Sequence, residues 1–153
     1  MRYISHRGNL AGLFPDEENS LKYIDNAISV CGDVEIDLRS YDSKLYLGHD
    51  EPQYSVTPEW LFERRHSLWI HAKDWESLQF LNKTNLQYFW HHHDDFTLTS
   101  TGDIWSHNFD LPMNNMCIVP LLSLKELKSY NQTGFFAVCS DFIFEAQQKF
   151  GEK

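Results

Sequence analysis

The sequence predicts an α/β fold, a compact parallel barrel in a single domain over residues 1–153 that is incomplete in its second half. Three observations carry this expectation. Short apolar runs with strand character alternate with amphipathic runs of helical period. Polar side chains gather where the strands end, at His6, Glu35, His71, Lys73, His91 and Asp141, and that rim is where a parallel barrel carries its site. The chain has 153 residues, fewer than the ~200 that eight full β/α units need. The connection from Trp90 to Phe96 is also too short for a helical crossover, so the second half has lost helices.

Residues 2–5 read as a short strand that ends in His6-Arg7-Gly8. A histidine and an arginine before a glycine suit an anion site, because Gly lets the backbone turn and Arg offers a forked donor set. A loop with Gly12 and Pro15 follows, and Ser20 then caps a helix whose Leu21, Ile24, Ala27 and Ile28 form one apolar face. The helix stops near Cys31-Gly32 and the Glu35 strand begins at once, which makes a parallel strand pair.

On that strand Glu35 and Asp37 point to one side, while Val34, Ile36 and Leu38 point to the other. Two carboxylates side by side on an apolar strand are costly unless a positive group sits between them. A hard divalent cation, Mg²⁺ or Ca²⁺, is the natural occupant. Tyr41-Asp42-Ser43-Lys44 is a turn, and Leu45-Tyr46-Leu47 brings the chain back to Gly48-His49-Asp50. His49 is thereby returned to the neighbourhood of the acids.

Thr57-Pro58-Glu59 opens a second helix, with Thr as cap and Pro in the first turn. Residues 68–73 form the next strand, on which His71 and Lys73 share a face. Asp74 caps a short helix carrying Trp75, Leu78 and Leu81, and a strand over 86–90 runs into His91-His92-His93-Asp94-Asp95. Consecutive residues of an extended chain diverge, so this run reads as a polar loop at the mouth of a cleft. His66, His92 and His107 read as ordinary, partly buried rings. Short strands are expected over 96–99, 104–106 and 117–119. Ser123 and Glu126 then form a capping box, a buried strand over 135–139 ends in Ser140-Asp141, and a last helix runs through Gln148.

Composition excludes several classes. The net charge is −9 and no basic run occurs, which argues against a nucleic-acid surface. Cys31, Cys117 and Cys139 are scattered, so neither a disulfide framework nor a zinc ribbon is expected. There is no apolar signal core and no run of the ~18 apolar residues that a membrane span needs. The expectation is an unprocessed cytoplasmic protein with reduced thiols.

Four motifs taken together resemble the glycerophosphodiester phosphodiesterases, a family of phospholipase-C-like phosphodiesterases. They are His6-Arg7-Gly8, Glu18-Asn19-Ser20, Glu35-Ile36-Asp37 and His49-Asp50, in that order over the first fifty residues. The resemblance implies a (β/α)8 barrel of TIM type and metal-dependent cleavage of a small phosphodiester. His6 and His49 would be the acid–base pair, supported by Glu18 and Asp50, with Arg7 and Lys73 on the phosphate and Glu35 and Asp37 on the metal. The family's third strand usually carries Glu-x-Lys, and here the pair is His71-x-Lys73. His71 would then bind through nitrogen, or a carboxylate such as Asp94 or Asp95 would take its place. Mg²⁺ or Ca²⁺ fits the carboxylates, and Zn²⁺ or Mn²⁺ would suit a site with an imidazole. The alternative from another class is a non-catalytic pocket for a phosphorylated sugar, using Arg7, Lys73 and the rings of Trp90 and Trp105.

Overall fold

The computed structural model describes residues 1–151. In chain order they form β1 (Arg2–His6), α1 (Leu21–Cys31), β2 (Asp33–Tyr41), β3 (Lys44–Leu47), β4 (Tyr54–Val56), α2 (Pro58–Glu63), β5 (Leu68–Ala72), α3 (Trp75–Leu81), β6 (Tyr88–Phe89), β7 (Phe96–Leu98), β8 (Ile104–Ser106), β9 (Cys117–Pro120), α4 (Leu124–Ser129), β10 (Ala137–Ser140) and α5 (Ile143–Phe150). Local chemistry sets most of these boundaries. Ser20 accepts from Tyr23 N, and Thr57 accepts from Trp60 N ahead of Pro58. Asp74 with Ser77, and Ser123 with Glu126, form reciprocal capping boxes. Each such cap stabilises its helix by ~1 kcal/mol. Asp42 and Ser43 both take positive φ, 48° and 58°, which is the two-residue turn that folds β3 back on β2.

All ten strands belong to one sheet. β1 lies between β2 and β10, parallel to both, and His6 pairs in register with Glu35. On one side β2 continues to β5 and β6, all parallel. On the other, β10 continues to β9 and β8, also parallel, and β7 closes that side antiparallel to β8. The outer half of β2 pairs with β3, and β3 with β4, as the expected excursion.

The sheet curls. Ile4, Trp69, Phe89, Trp105, Ile118, Ala137 and Cys139, drawn from strands all along it, pack as one buried cluster. Phe89 of β6 stacks on Trp105 of β8 at 4.4 Å, and Ser100 N donates to Tyr88 O, so the two sides of the sheet meet. Helices cover the outer face. Ile24 and Ala27 pack with Val34, Ile36 and Leu38, while Leu127 and Ala146 pack with Val119 and Val138. Burying each larger aliphatic chain stabilises by ~1.5–3 kcal/mol. Beneath the inner cluster, Arg2 makes a forked pair with Asp33, which also accepts from Trp69 Nε1.

The result is a mixed α/β fold with the outline of an incomplete α/β barrel. Among the described residues no helix lies between β6 and β9, as the short connections require. Three details differ from expectation. The strand placed over 86–90 is only Tyr88–Phe89, because Leu86 N and Tyr88 N are taken by the hydroxyls of Thr84 and Ser100. The last inner strand starts at Ala137, with Phe135 turned into the rings of Tyr130 and Phe150. β4 was not foreseen, since its three residues become a strand only by pairing with β3. No helix among the described residues is long and apolar enough to cross a membrane. The three cysteines are free thiols.

Candidate active site

Inward-facing residues alternate along every strand, so the strand ends present one ring of side chains. β1 ends in His6, and β2 offers Glu35, Asp37 and Arg39. β5 leads through His71 to Lys73, β6 to His91, β8 to His107, and β10 to Asp141. All of these except Asp37 and Asp141, which lie buried behind the lining, border a cavity of about 460 Å³. His6, Arg7, Glu35, His49, Asp50, His71 and Lys73, all expected at a site, line it together. Trp90 is half-exposed and is not among the lining residues, and Asp94 and Asp95 do not line it either.

The turn after β1 is tightly held. Arg7 takes a positive φ of 54°, fixed by Arg7 N donating to Glu35 O and Asn19 N donating to Arg7 O. Gly8 has φ 97°, and a Cβ there would stand 2.5 Å from the Tyr23 ring. This turn aims Arg7 at two carboxylates. Its Nε lies 2.9 Å from Asp37 Oδ2, a close ion pair without hydrogen-bond alignment, and its Nη1 donates to Glu18 Oε2 at 3.2 Å. Glu18 also accepts from Asn9 Nδ2, and the same amide donates to Asp141 Oδ1, both at 2.8 Å. Asp141 Oδ1 is in turn 2.8 Å from His6 Nδ1, so a continuous polar chain joins Arg7 to His6. His6 Nε2 faces Glu35 Oε2 at 3.9 Å.

Asp37 is fully buried. Asn19 holds it from both ends, donating from Nδ2 to Oδ2 and accepting at Oδ1 from Asp37 N, each at 3.0 Å. Asn19 can do so because it takes a left-handed φ of 64°. Lys73 Nζ and His71 Nδ1 approach Asp37 Oδ1 at 3.6 and 3.4 Å. The two carboxylates consequently titrate in opposite directions. Burial raises both, but around Asp37 it is outweighed by His71, Arg7 and Lys73, which hold that carboxyl well below its usual range. Glu35 is pushed up to about 7 by burial and by the charge of Asp37. Burial works against a charged His6, yet the Asp141 hydrogen bond and the Glu35 charge raise its pKa. His71 is lowered, chiefly by burial, and His91 falls to about 4 through burial and its neighbours His71, His107 and Lys73.

Glu35, Asp37 and His71 offer ligand atoms all within 4.8 Å of one another and could hold a metal ion. The fit is chemical as well as geometric. Glu35 Oε2 and Asp37 Oδ1 are buried acceptors without a hydrogen-bond partner. His6 Nε2, 3.9 Å from the first, and Lys73 Nζ, 3.6 Å from the second, stand near as positive groups, so a cation could still be accepted there. His49 reaches the cavity from the loop beyond β3. Its side chain is 40% exposed and its Nδ1 lies 2.8 Å from Asp50 Oδ1.

Sequence reasoning missed several members. Arg39 lines the cavity and donates to the carbonyls of Gly48 and His49, which clamps the loop that carries the histidine. His92 and His107 line it too, although they read as ordinary rings, and Asn9 is the buried link between Glu18 and Asp141. The signal for the histidines was present. Trp69-x-His71, Phe89-x-His91 and Trp105-x-His107 repeat one pattern, a buried ring below and an imidazole above on one strand face. Comparison with protein-family models, curated proteins and solved structures finds no match to this chain.

Proposed function

We propose that this chain is a metal-dependent phosphodiesterase that cleaves a small, glycerophosphodiester-like substrate on a shortened (β/α)8 barrel of TIM type. The observation that carries the reading is one cavity lined by His6, His49, Arg7 and Lys73, with the Glu35–Asp37–His71 group, which could hold an ion, at its wall. A phosphodiester resists attack because its own charge repels nucleophiles. A divalent cation held by Glu35, Asp37 and His71 would supply Lewis-acid neutralisation of that charge. Arg7 and Lys73 add positive charge beside it, pre-positioned by Glu18 and Asp37 and so needing little rearrangement. His6, steadied by Asp141 at Nδ1, presents Nε2 to the cavity as a proton carrier. His49 on its clamped loop is the second carrier, so one ring takes a proton from the attacking hydroxyl and the other returns one to the leaving oxygen. The cavity volume suits a small headgroup rather than a polymer. The free thiols of Cys31, Cys117 and Cys139 support a reducing, cytoplasmic setting.

The test is a screen of small phosphodiesters, glycerophosphodiesters first, with Mg²⁺, Ca²⁺, Mn²⁺ and Zn²⁺ and identification of products. Turnover lowered on the order of 10²–10⁴-fold by His6→Ala is expected. Saturable phosphate binding with no turnover under any metal would instead establish a recognition pocket.

A further inference from the structure

The site differs from an all-oxygen cation site in its third donor, and the surroundings of that donor fix how it is used. His71 turns Nδ1 toward the acids, 3.4 Å from Asp37 Oδ1 and 3.9 Å from Glu35 Oε1. Its other nitrogen, Nε2, lies 3.5 Å from the carbonyl oxygen of His91. Where no ion is bound, the Asp37 carboxylate favours a proton on Nδ1. An ion bound there would displace that proton, and the carbonyl would then accept from Nε2–H, the tautomer that leaves the Nδ1 lone pair for the metal. That lone pair would face Asp37 Oδ1, a buried acceptor without a hydrogen bond that has Lys73 Nζ 3.6 Å away. Glu35, Asp37 and Nδ1 of His71 thus point their ligand atoms at one place where a cation could sit.

The ring itself is held flat. His71 stacks on Phe89 at 4.8 Å and 15°, and on His91 at 4.7 Å and 7°. Phe89 and His91 are themselves nearly parallel, so they offer one platform from the neighbouring strand. Rotation out of this plane would lose both stacking contacts, and a half-turn within it would lose the carbonyl.

We propose that His71 ligates the ion through Nδ1, that Phe89 and His91 act as its positioning residues, and that this nitrogen makes the centre select a transition ion such as Mn²⁺, Co²⁺ or Zn²⁺ over Mg²⁺ and Ca²⁺. Imidazole nitrogen suits the former ions, whereas the hard pair take oxygen. The inference deepens the metal-dependent reading and rests on it for the presence of an ion, but not for the identity of the reaction.

The test uses the full chain, stripped with a chelator and titrated with Co²⁺, Zn²⁺, Mg²⁺ and Ca²⁺ separately, with Co²⁺ visible absorption as a second readout. His71→Glu should narrow the preference for Zn²⁺ over Mg²⁺ by at least tenfold. His91→Ala keeps the carbonyl but removes the ring face. It should weaken Co²⁺ and Zn²⁺ on the order of 10–100-fold, the usual effect of losing a group that orients a ligand, and leave Mg²⁺ nearly unchanged. His91→Phe should restore most of the loss. Nitrogen-15 spectra of the unmutated, Zn²⁺-loaded protein should show His71 metallated at Nδ1, a result that no folding defect can mimic. Metallation at Nε2, an unaltered preference in His71→Glu, or His91→Phe as weak as His91→Ala would each overturn the proposal. If these metal results hold while no phosphodiester turns over, only the phosphodiesterase reading fails. If turnover is found and the preference is unchanged in His71→Glu, only the present inference fails.

Discussion

Asp141 holds the His6 ring from behind, with Oδ1 2.8 Å from Nδ1, while Nε2 of the same ring points toward Glu35. The carboxylate comes from the residue just after the last strand and the imidazole from the end of the first, so a late part of the chain completes a site begun at residue 6. His6→Ala should cost on the order of 10²–10⁴ in rate, the usual worth of a positioned proton carrier. Asp141→Asn should preserve the fold and lower the pKa of His6, since the Asp141 hydrogen bond is among the causes that raise it. The measurement is an NMR titration of the metal-free protein, and a His6 titration that does not move in Asp141→Asn would contradict the arrangement.

His6 and His49 should behave as a unit. If they exchange protons with one substrate, the double replacement by Ala will cost far less than the product of the single losses. Steady-state rates of the three variants decide this. Fully multiplicative losses would mean that the two rings serve independent steps.

Arg39 should be essential to the order of the His49 loop. Arg39→Ala removes the donors to the Gly48 and His49 carbonyls. Amide exchange at residues 48–53 should then quicken several-fold, with kcat falling more than KM rises. Lysine should rescue poorly, because it lacks the fork that spans two carbonyls. Unchanged exchange in that segment would refute the clamp.

The two acids should respond oppositely to amide substitution in metal-free protein. Glu35 is raised to about 7 from an ordinary value of 4.5. The folded state thus binds more protons than the unfolded state between those values, and stability falls as pH rises through that window. Glu35→Gln should remove this fall and stabilise the protein at pH 8 by on the order of 1–3 kcal/mol, each pKa unit being worth about 1.4 kcal/mol. Asp37→Asn should destabilise instead, by about 3–5 kcal/mol, because it removes the charge that Arg7 and Lys73 share and leaves the buried Arg7 with Glu18 alone. Urea melts at pH 5 and pH 8 test both, with NMR titration of His6 and His71 in each variant to account for the shifts that losing a neighbouring acid causes in them. Equal effects of the two substitutions would remove the asymmetry.

Divalent ions should reverse the Glu35 effect. Bound charge between the carboxylates favours their ionised forms, so the pH dependence of stability should flatten when a binding ion is saturating, and Tm should rise with ion concentration. A Tm insensitive to every divalent ion would exclude the cation group as a binding site.

The sequence by itself determined the local structure and the inner strand faces. Ser20, Thr57, Asp74 and Ser123 marked helix starts because capping is a contact between near neighbours. Glu35, Asp37, His71 and Lys73 could be placed on shared faces because side chains alternate on a strand whatever its partners are. The tertiary structure alone decided which strand ends meet. Nothing in the local sequence pairs Asp141 with His6 across 135 positions, or sets Phe89 against Trp105. Those contacts depend on strand order and on the curl of the sheet, which arise from the packing of the whole inner cluster. The role of Arg39 was hidden for the same reason. On the strand it is one more alternating residue, and it becomes a clamp only when the β3 excursion returns the carbonyls of Gly48 and His49 to its guanidinium.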